Sequence, residues 1–158
     1  MTNMKNETPE HRLANAGINL PAPQKPSGNY VGCRQFGQLL FVAGHGPKKP
    51  DGVYVTGRIV GPADVARGYE AARLAALNML ATVKLAVGDL DKIGGVLKVL
   101  GMVNADSNFT AHPKVIDGCS DMLVTAFGQD ALHARSAVGM GSLPHGISVE
   151  VEAIFCLK

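Results

Sequence analysis

One segment limits the possible folds more than any other: PADVARGYEAARLAALNMLATVKLAVG, from Pro62 to Gly88. Val65, Tyr69, Ala72, Ala76, Leu80, Val83 and Val87 recur at helical spacing, and Leu74 and Leu77 widen the stripe. Pro62 suits a first helical position and Gly88 a C-terminal stop. Arg67, Glu70, Arg73 and Lys84 fall off the stripe and can face water. A helix with one apolar side has to be laid on another layer, which the rest of the chain must supply.

The remaining segments supply it. YVGCRQFG and LLFVAGHG, separated by Gly37-Gln38, read as a β-hairpin. Residues 47–61 mix Pro, Gly and Asp with VYVTGRIV, which predicts a loop and one short strand. GVLKVLGMVNA (Gly95–Ala105) has strand length. HPKVIDGCSDMLVTAFG (His112–Gly128) predicts a second helix, with Val115, Cys119, Met122, Leu123 and Ala126 inward. ARSAVGMGSL and ISVEVEAIFCL flank PHG and read as a second hairpin. The order β-β, helix, β, helix, β-β is that of an α+β fold, with two helices on one face of a mixed sheet. Ahead of it, residues 1–8 read as a polar tail. PEHRLANAG reads as a short helix capped by Thr8 and stopped at Gly17, and LPAPQKPSG as an extended arm. The expected division is therefore 1–29 for tail, helix and arm, and 30–158 for one α+β domain.

The last hairpin carries the residues with chemistry. Strand side chains alternate between faces, so Arg135, Ala137, Gly139 and Gly141 share one face of the first strand. An even loop sets Gly139 opposite Glu150 and Ala137 opposite Glu152. Val138, Met140, Val149, Val151 and Phe155 then pack under the helices. The opposite face holds Arg135, Glu150, Glu152 and a floor of small residues, with Arg135 about 13 Å along the strand from the position opposite Glu150. Glycine weakens a strand and often marks close approach by a ligand or another backbone. Two helices cover one face only, so the second is expected to meet water or another chain, and a homo-oligomer with sites at its contacts is expected. Arg135 has two open readings: an interfacial ion pair with a glutamate, or a bidentate clamp on a substrate carboxylate. Glu150 likewise reads either as a paired or solvated strand residue or as a carboxylate that orients water.

Composition excludes several classes. Fifteen basic and 13 acidic residues leave a formal net charge of +2, against a dedicated nucleic-acid binder. His11, His45, His112, His133 and His145 form neither HxH nor HExxH, so no metal site is expected. There is no GxSxG. Cys33, Cys119 and Cys156 are scattered and read as packed free thiols in a reducing cytoplasm. No apolar run approaches the ~18 residues of a membrane span, and MTNMKNETPEHRL lacks the apolar centre of a signal peptide.

From about Leu20 onward the chain resembles the Rid family (reactive intermediate deaminases), also called YjgF or L-PSP endoribonucleases. The segments that carry the resemblance are SGNYVG, LLFVAGHGP, AARLAALNMLATVKLAVGDLDKI, VLGMVNAD, HPKVIDGCSDMLVTAFG, HARSAVGMGSLP and SVEVEAIF. They are closest to the family's longer-chain branch. The resemblance implies a chorismate-mutase-like fold and a homotrimer with sites between subunits. It implies hydrolysis of short 2-imino or 2-enamino acids to 2-oxo acids and ammonia, without a cofactor. In that likeness Arg135 binds the substrate carboxylate and Glu150 holds the attacking water. Tyr30 and Gly44 line the pocket, and Ala137 stands where the prototype often has cysteine. Ala43 and His45 replace residues that are often serine and glutamine, and Asp117 loosely matches a pocket asparagine. The same likeness leaves two rival readings: a non-catalytic binder of small carboxylates, and the ribonuclease or translation inhibitor of the older name.

Overall fold

The computed structural model describes residues 7–158. The elements in chain order are α1 (Pro9–Asn15), β1 (Cys33–Phe36), β2 (Leu39–His45), α2 (Val65–Val87), β3 (Ile93–Asn104), α3 (His112–Phe127), β4 (Ala134–Met140) and β5 (Val149–Leu157). The five strands form one mixed sheet in the order β1-β2-β5-β3-β4. The fold is α+β, as the element order predicts.

Both long helices lie on one face. Ala72, Ala76, Leu80 and Val83 of α2 and Val115, Cys119, Met122, Leu123 and Ala126 of α3 are buried against Val99, Val103, Val149, Val151 and Phe155 of the sheet. The helices cross closely because Gly118 lacks a side chain; an added Cβ would lie 2.0 Å from the Tyr69 carbonyl oxygen. Thr8 caps α1 by accepting the His11 N–H, and Gly17 follows with φ +72°. The polar tail expected over residues 1–8 falls largely on residues 1–6, outside the described residues. The short helix joins the body: Leu13 is 2% exposed within the core, and Glu10 accepts the Leu90 N–H at 2.9 Å.

Two expectations are corrected. Residues 47–61 make isolated bridges (Lys48 to Tyr54, Thr56 to Ile147, Ile59 to Ala105) rather than a strand. The last two strands do not form a hairpin. β4 runs parallel to β3, and β5 runs antiparallel on the other side of β3. The cause is α3: a helix between β3 and β4 returns the chain to the same end of the sheet, and a βαβ connection gives parallel strands. β5, with Val149, Val151, Ala153 and Phe155 buried, takes an interior position between β2 and β3.

His45 stands at the end of β2 and is 6% exposed. Its Nδ1–H donates to the Ala43 carbonyl at 2.7 Å, and its Nε2 accepts the Thr82 hydroxyl of α2 at 2.8 Å. It is a structural tie between sheet and helix. Burial holds its pKa below the ordinary 6.5, against the raising effect of the Ala43 carbonyl. Above that ordinary value both folded and unfolded forms are neutral and the full stability is present. As pH falls toward the lower folded value, the unfolded chain protonates first and stability is lost. His133 acts in the same sense, and Glu150, with a raised folded pKa, acts in the opposite sense. Between about pH 7.5 and about pH 5.5 the urea midpoint of the wild type should therefore fall by more than that of His45→Gln. Equal falls would rule out this role for the histidine.

Candidate functional site

Pairing fixes the direction of each side chain. Arg135 pairs with Val99, Ala137 with Gly101 and Gly139 with Val103, so all three point to the helix side. Glu150 pairs with Met102 and Glu152 with Leu100, so both glutamates point to the uncovered side. The expected single patch, with Arg135 and Glu150 bracketing one face, is therefore corrected: the two lie on opposite faces. Two strand spacings and three residues of offset separate their backbones, about 14 Å. Val138 and Met140, expected under the helices, lie on the uncovered face and are exposed, as are Phe36 and Phe41.

Arg135 tolerates the helix side because β4 is an edge strand and α3 offers it polar partners. Nη1 donates to Asp117 Oδ1 at 2.9 Å and to Ser120 Oγ at 3.0 Å. Asp117 and Ser120 lie three residues apart on α3 and so share a side of the helix. Ser120 also bonds His133, which is anchored in turn: its Nδ1–H donates to the Ala131 carbonyl at 2.6 Å, so Nε2 is left to accept the serine hydroxyl at 3.1 Å. Burial, opposed by the Ala131 carbonyl and reinforced by Arg135, holds the His133 pKa below its usual value, which keeps Nε2 an acceptor. Nη2 reaches only the Pro113 carbonyl, at 3.5 Å. Among the described residues, Nε–H and the second Nη2–H have no protein partner, and the side chain is 22% exposed. One edge of the fork is thus pinned, and the adjacent edge is open to a planar anion. The ion pair left open by the sequence exists, within one chain and with an aspartate instead of a glutamate. Asp117, with 49% of its side chain exposed, makes this a paired site of both signs.

Glu150 belongs to a different corner. Its carboxylate occupies the space above Gly44, where an added Cβ would meet Oε1 at 2.0 Å. The absence of a side chain at Gly44 is what lets the carboxylate lie across β2. Burial, then the neighbouring Glu152, raises the Glu150 pKa, so it is a stronger proton acceptor when ionised. Tyr30 lies near the same end of β2: two residues on, the Gly32 carbonyl accepts the Ala43 N–H at 2.9 Å. Its ring is exposed, and its hydroxyl accepts the Ser27 N–H at 3.5 Å. Gly44 and Glu150 form one group, with Tyr30 in the segment that leads into β1 beside it; Arg135 and Ala137, with Asp117, Ser120 and His133, form another. Ser120 and His133 were not singled out from the sequence. The available signals were the three-residue spacing of Asp117 and Ser120 and the histidine two residues before Arg135.

The thiols take no part in either group: burial pushes Cys33 up to about 11 and Cys119 up to about 12. Among the described residues no three His, Cys, Asp or Glu side chains are placed to hold a metal ion, and no helix is long and apolar enough to cross a membrane.

The sequence profile of the YjgF/chorismate mutase-like endoribonuclease family matches residues 10–151. The chain belongs to this family. Among its relatives is Protein TCP17 of Trypanosoma cruzi, 39% identical over 143 residues, covering 90% of this chain and 89% of that protein. A Shewanella oneidensis protein named as a candidate endoribonuclease superposes with a TM-score of 0.90 at 33% identity, covering 96% of this chain and 100% of its own. E. coli TdcF, in a structure with bound serine, gives a TM-score of 0.60 at 25% identity, covering 89% and 95%. The YjgF fold of these relatives is the five-stranded, two-helix layer described above.

Proposed function

We propose that the chain is an imine/enamine deaminase that hydrolyses short 2-imino acids to 2-oxo acids and ammonia. We further propose that its site is assembled between protomers of a homotrimer. The observation that supports this is the split of the candidate residues Arg135 and Glu150 onto opposite faces of a single sheet. A ligand bridging Arg135 and Glu150 has to meet them from two chains. The uncovered face, with Phe36, Phe41, Val138 and Met140 exposed, is apolar enough to favour burial against another copy.

In this assembly the open edge of Arg135 takes the substrate carboxylate with two parallel hydrogen bonds. Ala137, packed against the core, leaves room for a short side chain. Asp117 stands beside the arginine and is complementary to a cationic C=NH2+ group, so a zwitterionic substrate fits better than a simple carboxylate. The serine bound to TdcF is such a zwitterion. Glu150 of the neighbouring protomer holds water and accepts one of its protons as the oxygen attacks the imine carbon. That proton passes to nitrogen, the carbinolamine collapses, and ammonia leaves as the C=O forms. One water is consumed, and no electrons enter or leave. Orientation accounts for the acceleration.

The direct assay follows ammonia and 2-oxo acid from 2-iminobutanoate generated in situ by an amino acid oxidase. The wild type should accelerate release over the protein-free control. Glu150→Gln should lose the acceleration while still binding 2-oxobutanoate. No acceleration by the wild type, with retained 2-oxobutanoate binding, would leave a carboxylate binder in place of an enzyme.

A further inference from the structure

We propose that the pocket between the proline-rich arm and the loop after β2 is a binding site for a compact polyanion, a phosphate or pyrophosphate group. The pocket has a volume of about 400 Å³ and is lined by Lys25 from the arm and by Lys48 and Lys49 from the loop, without a carboxylate. Among the described residues none of these three lysines is in an ion pair, a state they share with Arg34, Arg58, Lys92, Lys98 and Lys114, but they alone of these line one cavity together. The acid nearest in sequence, Asp51, is exposed and outside the lining; its Oδ1 accepts the Val53 N–H at 3.0 Å.

The walls are fixed in advance. Asn78 of α2 is 2% exposed and donates through Nδ2 to the carbonyls of Gly46 and Lys48, both at 3.0 Å. The loop closes on itself through Lys49 N–H to the Val53 carbonyl and Gly52 N–H to the Lys49 carbonyl, each 2.9 Å. Lys48 Nζ lies 5.5 Å from the centre of the Tyr54 ring. Pro21, Pro23 and Pro50 stiffen the rim and offer no N–H of their own. In the same lining, the Gln24 amide has a buried Nε2 with no hydrogen-bond partner. Its Oε1 is 3.5 Å from the Tyr54 hydroxyl, and exchanging oxygen and nitrogen merely orphans the other atom. A buried amide without a counterpart is rare in folded proteins.

Three lysines line one cavity whose walls hold no carboxylate, a charge balance that a ligand of two or more negative charges complements. Phosphate suits lysine, which meets it as a point charge, while a monocarboxylate can neutralise only one of the three. The site is separate from Arg135, which lies on the far edge strand β4, while the pocket's loop follows the strand that carries Gly44.

The test is calorimetric titration of sodium pyrophosphate into the wild type, K48E/K49E, the neutral K48Q/K49Q and R135A. Sodium chloride at matched ionic strength is the control, and thermal melts confirm that each variant is folded. The wild type should show saturable binding, R135A the same affinity, and both lysine pairs an affinity weaker by about tenfold or more. A response that follows ionic strength alone would overturn the proposal. So would equal affinity in the lysine variants, or loss confined to R135A. Binding of a short oligouridylate that strengthens with length, without binding of pyrophosphate, would also overturn it in favour of nucleic acid.

Discussion

Arg135→Ala and Glu150→Gln, each inactive alone, should regain about a quarter of the wild-type rate of ammonia release when co-expressed in equal amounts. If the site is shared, it needs an intact arginine from one protomer and an intact glutamate from the next. In randomly mixed trimers each has a chance of one half. Alone, Arg135→Ala loses charge-assisted hydrogen bonds to the carboxylate and should slow kcat/KM by about a hundredfold or more. If both residues served one ligand from a single chain, no mixture would recover anything. Failure of the wild type to form trimers in light scattering would defeat the arrangement before any rate is measured.

The second large effect is on stability. Gly118→Ala should cost about 3 kcal/mol and lower Tm by about 6–12 °C. The new methyl would sit 2.0 Å from the Tyr69 carbonyl oxygen and 3.2 Å from the Arg73 nitrogen. Both obstacles are helix backbone, which cannot rotate aside, so α2 and α3 must move apart over a core of alanines. Gly141→Ala is the control: nothing lies within 4 Å of its added Cβ, and its melt should stay within about 0.5 kcal/mol of wild type. If Gly118→Ala melts with the wild type, the helices have slack that this geometry denies.

Much of the layer was legible in the sequence because local chemistry and periodicity agreed there. Thr8, Pro9 and Gly17 delimit α1, the stripe from Val65 to Val87 delimits α2, and Gly37-Gln38 marks the turn between β1 and β2. Strand neighbours were not legible, since alternation specifies faces and not partners. β4 and β5 adjoin in sequence, yet β3 separates them. The same ambiguity reversed the faces of β4. Val138 and Met140 look like core, and Arg135 looks like surface. The arginine can lie on the helix side because Asp117 and Ser120 meet it there, and the apolar pair lies on the side the helices leave bare. Arg135 and Glu150 stand out by type and spacing, and Tyr30 and Gly44 only through the family resemblance; the division of these candidates between two surfaces required the sheet order.

That division bears on how such a protein can diverge. Asp117, Ser120 and His133 hold the arginine without touching the corner where Glu150 rests over Gly44. Under the proposed assembly, exchanges around the cation can retune which acids are accepted while the hydrolytic corner is inherited unchanged.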